Sequence, residues 1–204
     1  MVAGPNGSGK TTLTRALVER GIELGEYINP DDIARELTGP DLERAAQAQA
    51  IADERRAACI AEKRSFSFET VMSHPSKVEI LDQARNAGFL ITLFFVGIDD
   101  PRTNIERVAL RVAQGGHDVP VDRIVPRWRR SMGLLYDAIR ASDDAYIFDN
   151  SAPGPVESGP RLVFFWRYME ELSMATHQQF PPIPPWVNRY VLAPLFRRGK
   201  WPRE

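Results

Sequence analysis

The sequence predicts an α/β fold: three layers, with a central, mostly parallel sheet, a helical lid and an irregular C-terminal tail. Three observations carry this. Residues 4–11, within "MVAGPNGSGKTT", match G-x-x-x-x-G-K-[ST] between an apolar strand tail and a helical pattern. Apolar runs of strand length then alternate with helical stretches, the order that winds a parallel sheet on both faces. Finally, "FLITLFFVG" is apolar on both alternating faces, as expected of a central parallel strand covered on two sides.

Taken in order, "MVA" is the end of a first strand and "TTLTRALVER" a helix that can turn Leu13, Ala16 and Leu17 to a core. "EYIN" reads as a short second strand, and "PDDIAREL" as a helix with Pro30 and Asp31 in its first turn. Residues 41–63 form a long helix with Ala48, Ile51, Ala52, Ala58 and Cys59 on one stripe. "SFSFE" is a third strand, "HPSKVEILDQARNAG" a helix ended by Gly88, and "AYIFD" a strand after the central one. Beyond it, "GPRLVFFWR" is expected as an edge strand and "QFPPIPPWVNRYVLAPLF" as irregular chain. Residues 1–151 are thus expected to form the core, with a lid at about 107–131, and 152–204 an extension docked on it. Few residues precede the loop. Either the true start lies upstream or the sheet tolerates a truncated central strand.

Composition narrows the function classes. At 204 residues the chain suits one α/β domain, and a formal charge of -1 gives no global basic field for nucleic acid or an anionic membrane. The single cysteine, Cys59, excludes an internal disulfide and fits a reducing compartment. No apolar run reaches membrane-spanning length and no signal peptide is visible, so the expected location is the cytoplasm.

The glycine loop is the strongest chemical signal. Gly4, Pro5, Asn6, Gly7, Ser8, Gly9, Lys10, Thr11 and Thr12 are expected to wrap a nucleotide's phosphates at the positive end of a helix. Lys10 would reach the β- and γ-phosphates, and the Thr11 hydroxyl would ligate Mg²⁺. No guanine-reading motif is present, so ATP is preferred to GTP. Asp31, at the strand edge where such sheets bind ligands, can accept a proton from an attacking hydroxyl, hold the metal's water shell, or merely complement a helix end. Glu69 and Thr70 sit on the same edge and can read a substrate or cap a strand.

"RVALRVAQGGHDVPVDRIVPRWRRS" places Arg107 and Arg111 on one helical face and Arg123, Arg127 and Arg130 on another, across a glycine hinge. Ile124, Trp128 and Leu135 can anchor that second helix. The pattern describes an arginine-bearing lid closing over phosphates; a solvated face and a nucleic-acid patch are the competing uses. His117 is expected in the lid, not as a zinc ligand. In "GIDDPRTN", Asp100 followed by Pro101 reads as a helix cap in preference to a metal-binding aspartate.

Together "GPNGSGKTT", "NPDDIAREL", "FSFETVMS", "RVALRVAQGGHDVP", "IVPRWRRS" and "DNS", in that order, resemble the compact bacterial branch of the zeta-toxin-like P-loop kinases. The resemblance covers residues 1 to about 151. It implies a phosphotransferase that uses ATP and Mg²⁺ to phosphorylate a hydroxyl of a small metabolite, best a UDP-amino sugar such as UDP-N-acetylglucosamine. It implies Asp31 as base, Lys10 and Thr11 on nucleotide and metal, and Arg111 and Arg127 on the γ-phosphate. Arg130 is an alternative nucleotide contact, because Pro126 interrupts the lid helix where relatives place a basic residue. Arg35, Glu69 and Thr70 would contact substrate. The partners to expect are the phosphoacceptor and a neutralising antitoxin protein, not a membrane or nucleic acid. The alternatives are a kinase of another nucleotide or polynucleotide hydroxyl, and an ATP-binding switch.

Overall fold

The computed structural model describes residues 1–116, 118–152, 159–172 and 174–197. His117, placed by the sequence in a lid, lies outside the described residues, as do parts of the 152–204 extension. The strands are β1 (Val2–Ala3), β2 (Glu26–Ile28), β3 (Phe66–Thr70), β4 (Thr92–Gly97), β5 (Asp144–Asp149), β6 (Arg161–Met169) and β7 (Met174–Gln179). Among the described residues they form one seven-stranded sheet of order β2-β3-β1-β4-β5-β6-β7, parallel from β2 to β5 and antiparallel at β6 and β7.

The helices are α1 (Lys10–Glu19), α2 (Pro30–Glu36), α3 (Asp41–Ala61), α4 (Ser76–Asn86), α5 (Pro101–Ala113), α6 (Val121–Gly133) and α7 (Leu135–Arg140). After β7 come a turn, α8 (Pro185–Val187), a π-helical stretch (Asn188–Leu192) and α9 (Ala193–Arg197).

The two-faced pattern of β4 does what alternation requires. Val96 packs with Leu13 and Leu17 of α1, supported by Phe94 and Phe148. Leu93 and Phe95 enter the larger cluster on the other face, with Trp128, Met132, Leu135 and Trp186. The short β1 pairs on both sides, Val2 and Ala3 standing opposite Glu69 and Thr70 of β3 and opposite Phe94 and Phe95 of β4. The Met1 ammonium donates to the Thr92 carbonyl at 2.7 Å, and burial lowers its pKa to about 5.

Two expectations for the C-terminal third are corrected. "GPRLVFFWR" is not an edge strand: β6 lies inside β7, with Val163, Phe164 and Trp166 buried. The stretch expected to be irregular carries helices. Pro181, Pro182 and Pro184 occupy the preceding loop and Pro185 the first position of α8, where a missing N–H costs nothing; Pro194 lies within α9, and Trp186, Val187, Val191, Leu192 and Leu195 are all buried. β7 escaped notice because nearly all of its residues are exposed, leaving no alternation to read.

Trp186 fixes this segment to the sheet. Its ring stands over Gly97, where an added Cβ would lie 2.5 Å from the indole, and its Nε1 donates to Asp149 at 2.8 Å. Gly97→Ala should therefore cost about 1–3 kcal/mol through overpacking. Urea unfolding checks this, and unchanged stability would show that the indole is not held in place.

Candidate functional site

The phosphate-loop geometry follows from β1 and α1. Gly4, with φ +147, leaves β1 as its N–H donates to the Thr70 carbonyl at 3.2 Å; a Cβ there would lie 2.3 Å from the Val96 carbonyl oxygen. Gly9, with φ +99, caps α1 without any side-chain hydrogen bond to the first-turn amides, and that turn holds no acidic residue. The helix therefore presents uncapped N–H groups and an uncompensated dipole, the requirements for an anion. Two asparagines hold the loop from outside. Asn104 of α5 donates to the Asn6 carbonyl at 2.6 Å, and Asn150, after β5, donates to the Ser8 carbonyl at 2.9 Å.

Lys10 is buried, its Nζ donating to the Pro5 carbonyl at 3.1 Å. Burial lowers the pKa of its ammonium; the carboxylates of Glu69 and Asp31 oppose that shift and the Arg111 guanidinium adds to it. Four residues from four elements therefore act on one amine. The β1–β3 register explains Glu69, which stands opposite Val2 just ahead of the loop. Glu69 is itself buried, and Tyr27 of β2 donates to its Oε2 at 2.9 Å. Burial raises the Tyr27 pKa, with the Glu69 charge and hydrogen bond adding to it.

Asp31 occupies the first turn of α2. The helix is capped by Asn29, whose side chain accepts from the Asp31 N–H at 3.0 Å, so the Asp31 carboxylate is not needed as the cap. The Asp100 expectation holds: its carboxylate accepts from the Arg102 N–H at 2.9 Å, with Pro101 at the first helical position.

One cleft of about 2040 Å³ gathers these groups. Asn6, Gly7, Gly9, Lys10, Thr11 and Thr12 line it from the loop, Asp31 and Arg35 from α2, Glu69 and Thr70 from β3. Arg107 and Arg111 enter from α5, Arg123 and Arg127 from α6. The sequence-predicted Gly4, Pro5 and Ser8 shape the loop from behind and do not line the cleft. Neither does Arg130, whose Nε donates to the Ser73 carbonyl at 3.1 Å. Burial lowers the Arg127 pKa and its neighbours Arg123 and Arg130 add to this, while Asp31 opposes them. Trp128 seats α6, its Nε1 donating to the Ile98 carbonyl at 2.9 Å, and Pro126 lies inside the helix without ending it.

The cleft wall holds ten lysines and arginines against six carboxylates, in a chain whose formal charge is -1. Such a surface suits a polyanion. Tyr27 and Asn104 were given no role by the sequence, because a single tyrosine or asparagine carries no spacing signal, and Asn150 entered only as part of "DNS" with no role of its own. No cluster of His, Cys, Asp or Glu able to hold a metal by itself occurs among the described residues. Mg²⁺ needs none, since it binds through one or two protein oxygens plus substrate phosphates. The exposed Thr11 at the head of α1 fits that mode. Among the described residues no helix is long and apolar enough to cross a membrane.

Known proteins share this architecture. A chain of the AvrRxo1-ORF1:AvrRxo1-ORF2 complex, solved with sulphate ions, superposes with a TM-score of 0.63 at 14% identity, over 80% of this chain and 56% of that one. This chain thus spans little more than half the length of that neighbour. The PezAT chromosomal toxin–antitoxin system of Streptococcus pneumoniae superposes with a TM-score of 0.51 at 15% identity, over 73% of this chain and 67% of that one. At such identities the likeness shows the fold alone. An uncharacterized protein of Haemophilus influenzae is 30% identical over 130 residues, 61% of this chain and 88% of that protein. With residues 1–135 matching its pattern from the phosphate loop through the arginine-bearing helices, the chain belongs to the AAA_33 family of AAA domains.

Proposed function

We propose that the protein is an ATP-dependent phosphotransferase of zeta-toxin-like type. It moves the γ-phosphoryl of ATP to a hydroxyl of a small metabolite, with a UDP-amino sugar such as UDP-N-acetylglucosamine the first acceptor to test. The observation that carries this reading is the convergence on Lys10 of Asp31, Glu69 and the α5 arginine Arg111, in a cleft that also holds Arg127. A nucleotide-binding switch needs the loop but not a carboxylate and arginines facing it. Two structural neighbours add support. One crystal form of the AvrRxo1-ORF1:-ORF2 complex is described with ATP, and PezAT is a toxin–antitoxin system. A neutralising protein partner is part of the proposal on the same ground.

In this reading the α1 amides and Lys10 hold the β- and γ-phosphates, and Thr11 supplies the hydroxyl ligand for Mg²⁺. Bound there, the metal ion would neutralise charge on the phosphate oxygens. Asp31 takes the proton from the acceptor hydroxyl as its oxygen bonds to the γ-phosphorus and the bond to ADP breaks. Arg111 and Arg127 stabilise the charge on the transferring group. Arg35, Glu69 and Thr70 orient the acceptor, with Tyr27 holding the Glu69 carboxylate in place.

Mass spectrometry tests the reading directly: incubation with ATP, Mg²⁺ and a panel of UDP-sugars should give one product heavier by a phosphate, in equal amount to ADP. ADP with free phosphate only, across the panel and a cell metabolite extract, would overturn it. Asp31→Asn should slow transfer by about 10²–10⁴-fold while ATP–Mg²⁺ affinity is retained. A parallel collapse of that affinity would make Asp31 a metal-shell residue instead of the base.

A further inference from the structure

Away from the phosphate loop, α3 and α4 bring a second set of cations to the same cleft. Arg56 occupies a core position on α3, on the stripe shared by Ala48, Ala52 and Cys59, and its side chain is only 2% exposed. It nevertheless forms part of the cleft wall, together with Arg44, His74 and Lys77. Removing a guanidinium from water costs several kcal/mol unless the surroundings compensate it. Here they do so only in part. The Arg56 plane lies over the Phe68 ring, 5.1 Å from its centroid, and Nη2 donates to Asp53, but Nε has no hydrogen-bond partner.

Asp53 is shared. Lys77 Nζ and Gln49 Nε2 also reach it, each at 3.2 Å, and its side chain is 54% exposed. Burial works to raise the Asp53 pKa, yet Arg56 and Lys77 hold it below the ordinary value. Two cations thus face one carboxylate, and a positive charge is left over at the wall of a cleft. Further along α3, Arg44 is paired with Asp41 while its own Nε is buried without a partner. An apolar residue at position 56 would fill the α3 stripe without a charge to compensate. An anion supplied from the cleft gives the arginine a purpose, since guanidinium and ammonium groups are the usual phosphate ligands.

We infer that Arg56 and Lys77 form a second anion subsite in the cleft, which holds a phosphate group carried by the acceptor itself. The acceptor is therefore a phosphorylated or nucleotide-linked alcohol, not a neutral sugar. The word acceptor rests on the kinase reading above; the anion subsite does not.

Calorimetry separates the two. The protein is first titrated with a non-hydrolysable ATP analogue and Mg²⁺, which reads the phosphate loop. It is then titrated with ribose 5-phosphate, and in parallel with ribose, with or without bound analogue. The expected result is a further binding event for ribose 5-phosphate and none for ribose. Lys77→Met should weaken that event about tenfold or more while analogue affinity is unchanged. Asp53→Asn should tighten it, because the competing carboxylate charge is gone; a cluster that serves only to hold α3 and α4 together would show no such gain. Arg56→Met should act like Lys77→Met, but Lys77 is decisive because its removal leaves the α3 core intact. The inference is overturned if ribose 5-phosphate does not bind, or if it binds equally well to Lys77→Met. Failure of the analogue to bind overturns the proposed function alone.

Discussion

Lys10→Ala should reduce phosphoryl transfer by about 10³-fold or to below detection, with a melting temperature within a few degrees of the parent protein. The kinetic part follows from position. Lys10 is the first residue of α1, the only lysine on the loop, and part of the cleft wall. The stability part follows from two opposed effects. The ammonium is buried at a cost, shown by the downward shift of its pKa, so its removal relieves desolvation. Against that, Glu69 loses a nearby cation but keeps the Tyr27 hydroxyl as donor. Turnover equal to the parent's would remove the loop from the mechanism, whereas a large drop in melting temperature would show that Lys10 is chiefly structural.

The second large effect concerns the arginines of α5 and α6. Arg111→Ala or Arg127→Ala should cut the acceptor-stimulated rate by about 10³-fold or more, as loss of an arginine finger does, with a much smaller effect on slow ATP hydrolysis without acceptor. Arg130→Ala is the internal comparison. It lies one turn along α6 from Arg127 but spends its Nε on the Ser73 carbonyl and does not line the cleft, so its removal should cost less than about tenfold. Steady-state assays of ADP release with and without acceptor read all three variants. Equal losses for Arg127 and Arg130 would mean that α6 turns on ligand binding.

The parts of this site that the sequence displayed are those that obey a spacing rule. The loop is contiguous, and its glycines are needed by local backbone geometry. The arginines of α5 and α6 repeat at helical intervals, so Arg107 and Arg111, and Arg123 and Arg127, could be assigned to one face each. Periodicity could not separate Arg127 from Arg130, which lie one turn apart on the same helix; the folded chain puts Arg127 on the cleft wall and gives Arg130 the Ser73 carbonyl. Contacts across the sheet were out of reach. Tyr27 meets Glu69 through β2–β3 pairing, and Asn150 meets Ser8 across 142 positions of chain. Arg56 was missed for the opposite reason: it sits on a stripe read as apolar, where one charged residue looks like noise. In the C-terminal third, proline content outweighed the apolar spacing of Trp186, Val187, Val191 and Leu195, although three of the five prolines stand in the loop ahead of α8 and Pro185 opens that helix.

Trp186 has a bearing on how the protein is made. Its indole lies against Gly97 and holds Asp149, which also accepts from the Ser151 hydroxyl at 2.5 Å and forms part of the cleft wall. The phosphate loop, Asp31 and the arginines of α5 and α6 all precede residue 131, yet one side of their support is synthesised more than fifty residues later. While the ribosome's exit tunnel still covers Trp186, the nascent chain has every reactive side chain and no finished wall behind β4 and β5. Domains complete their folding as units during synthesis. A growing polypeptide therefore carries the motif set before the segment that backs it, and a fragment ending ahead of Trp186 should lack the wall behind β4 and β5.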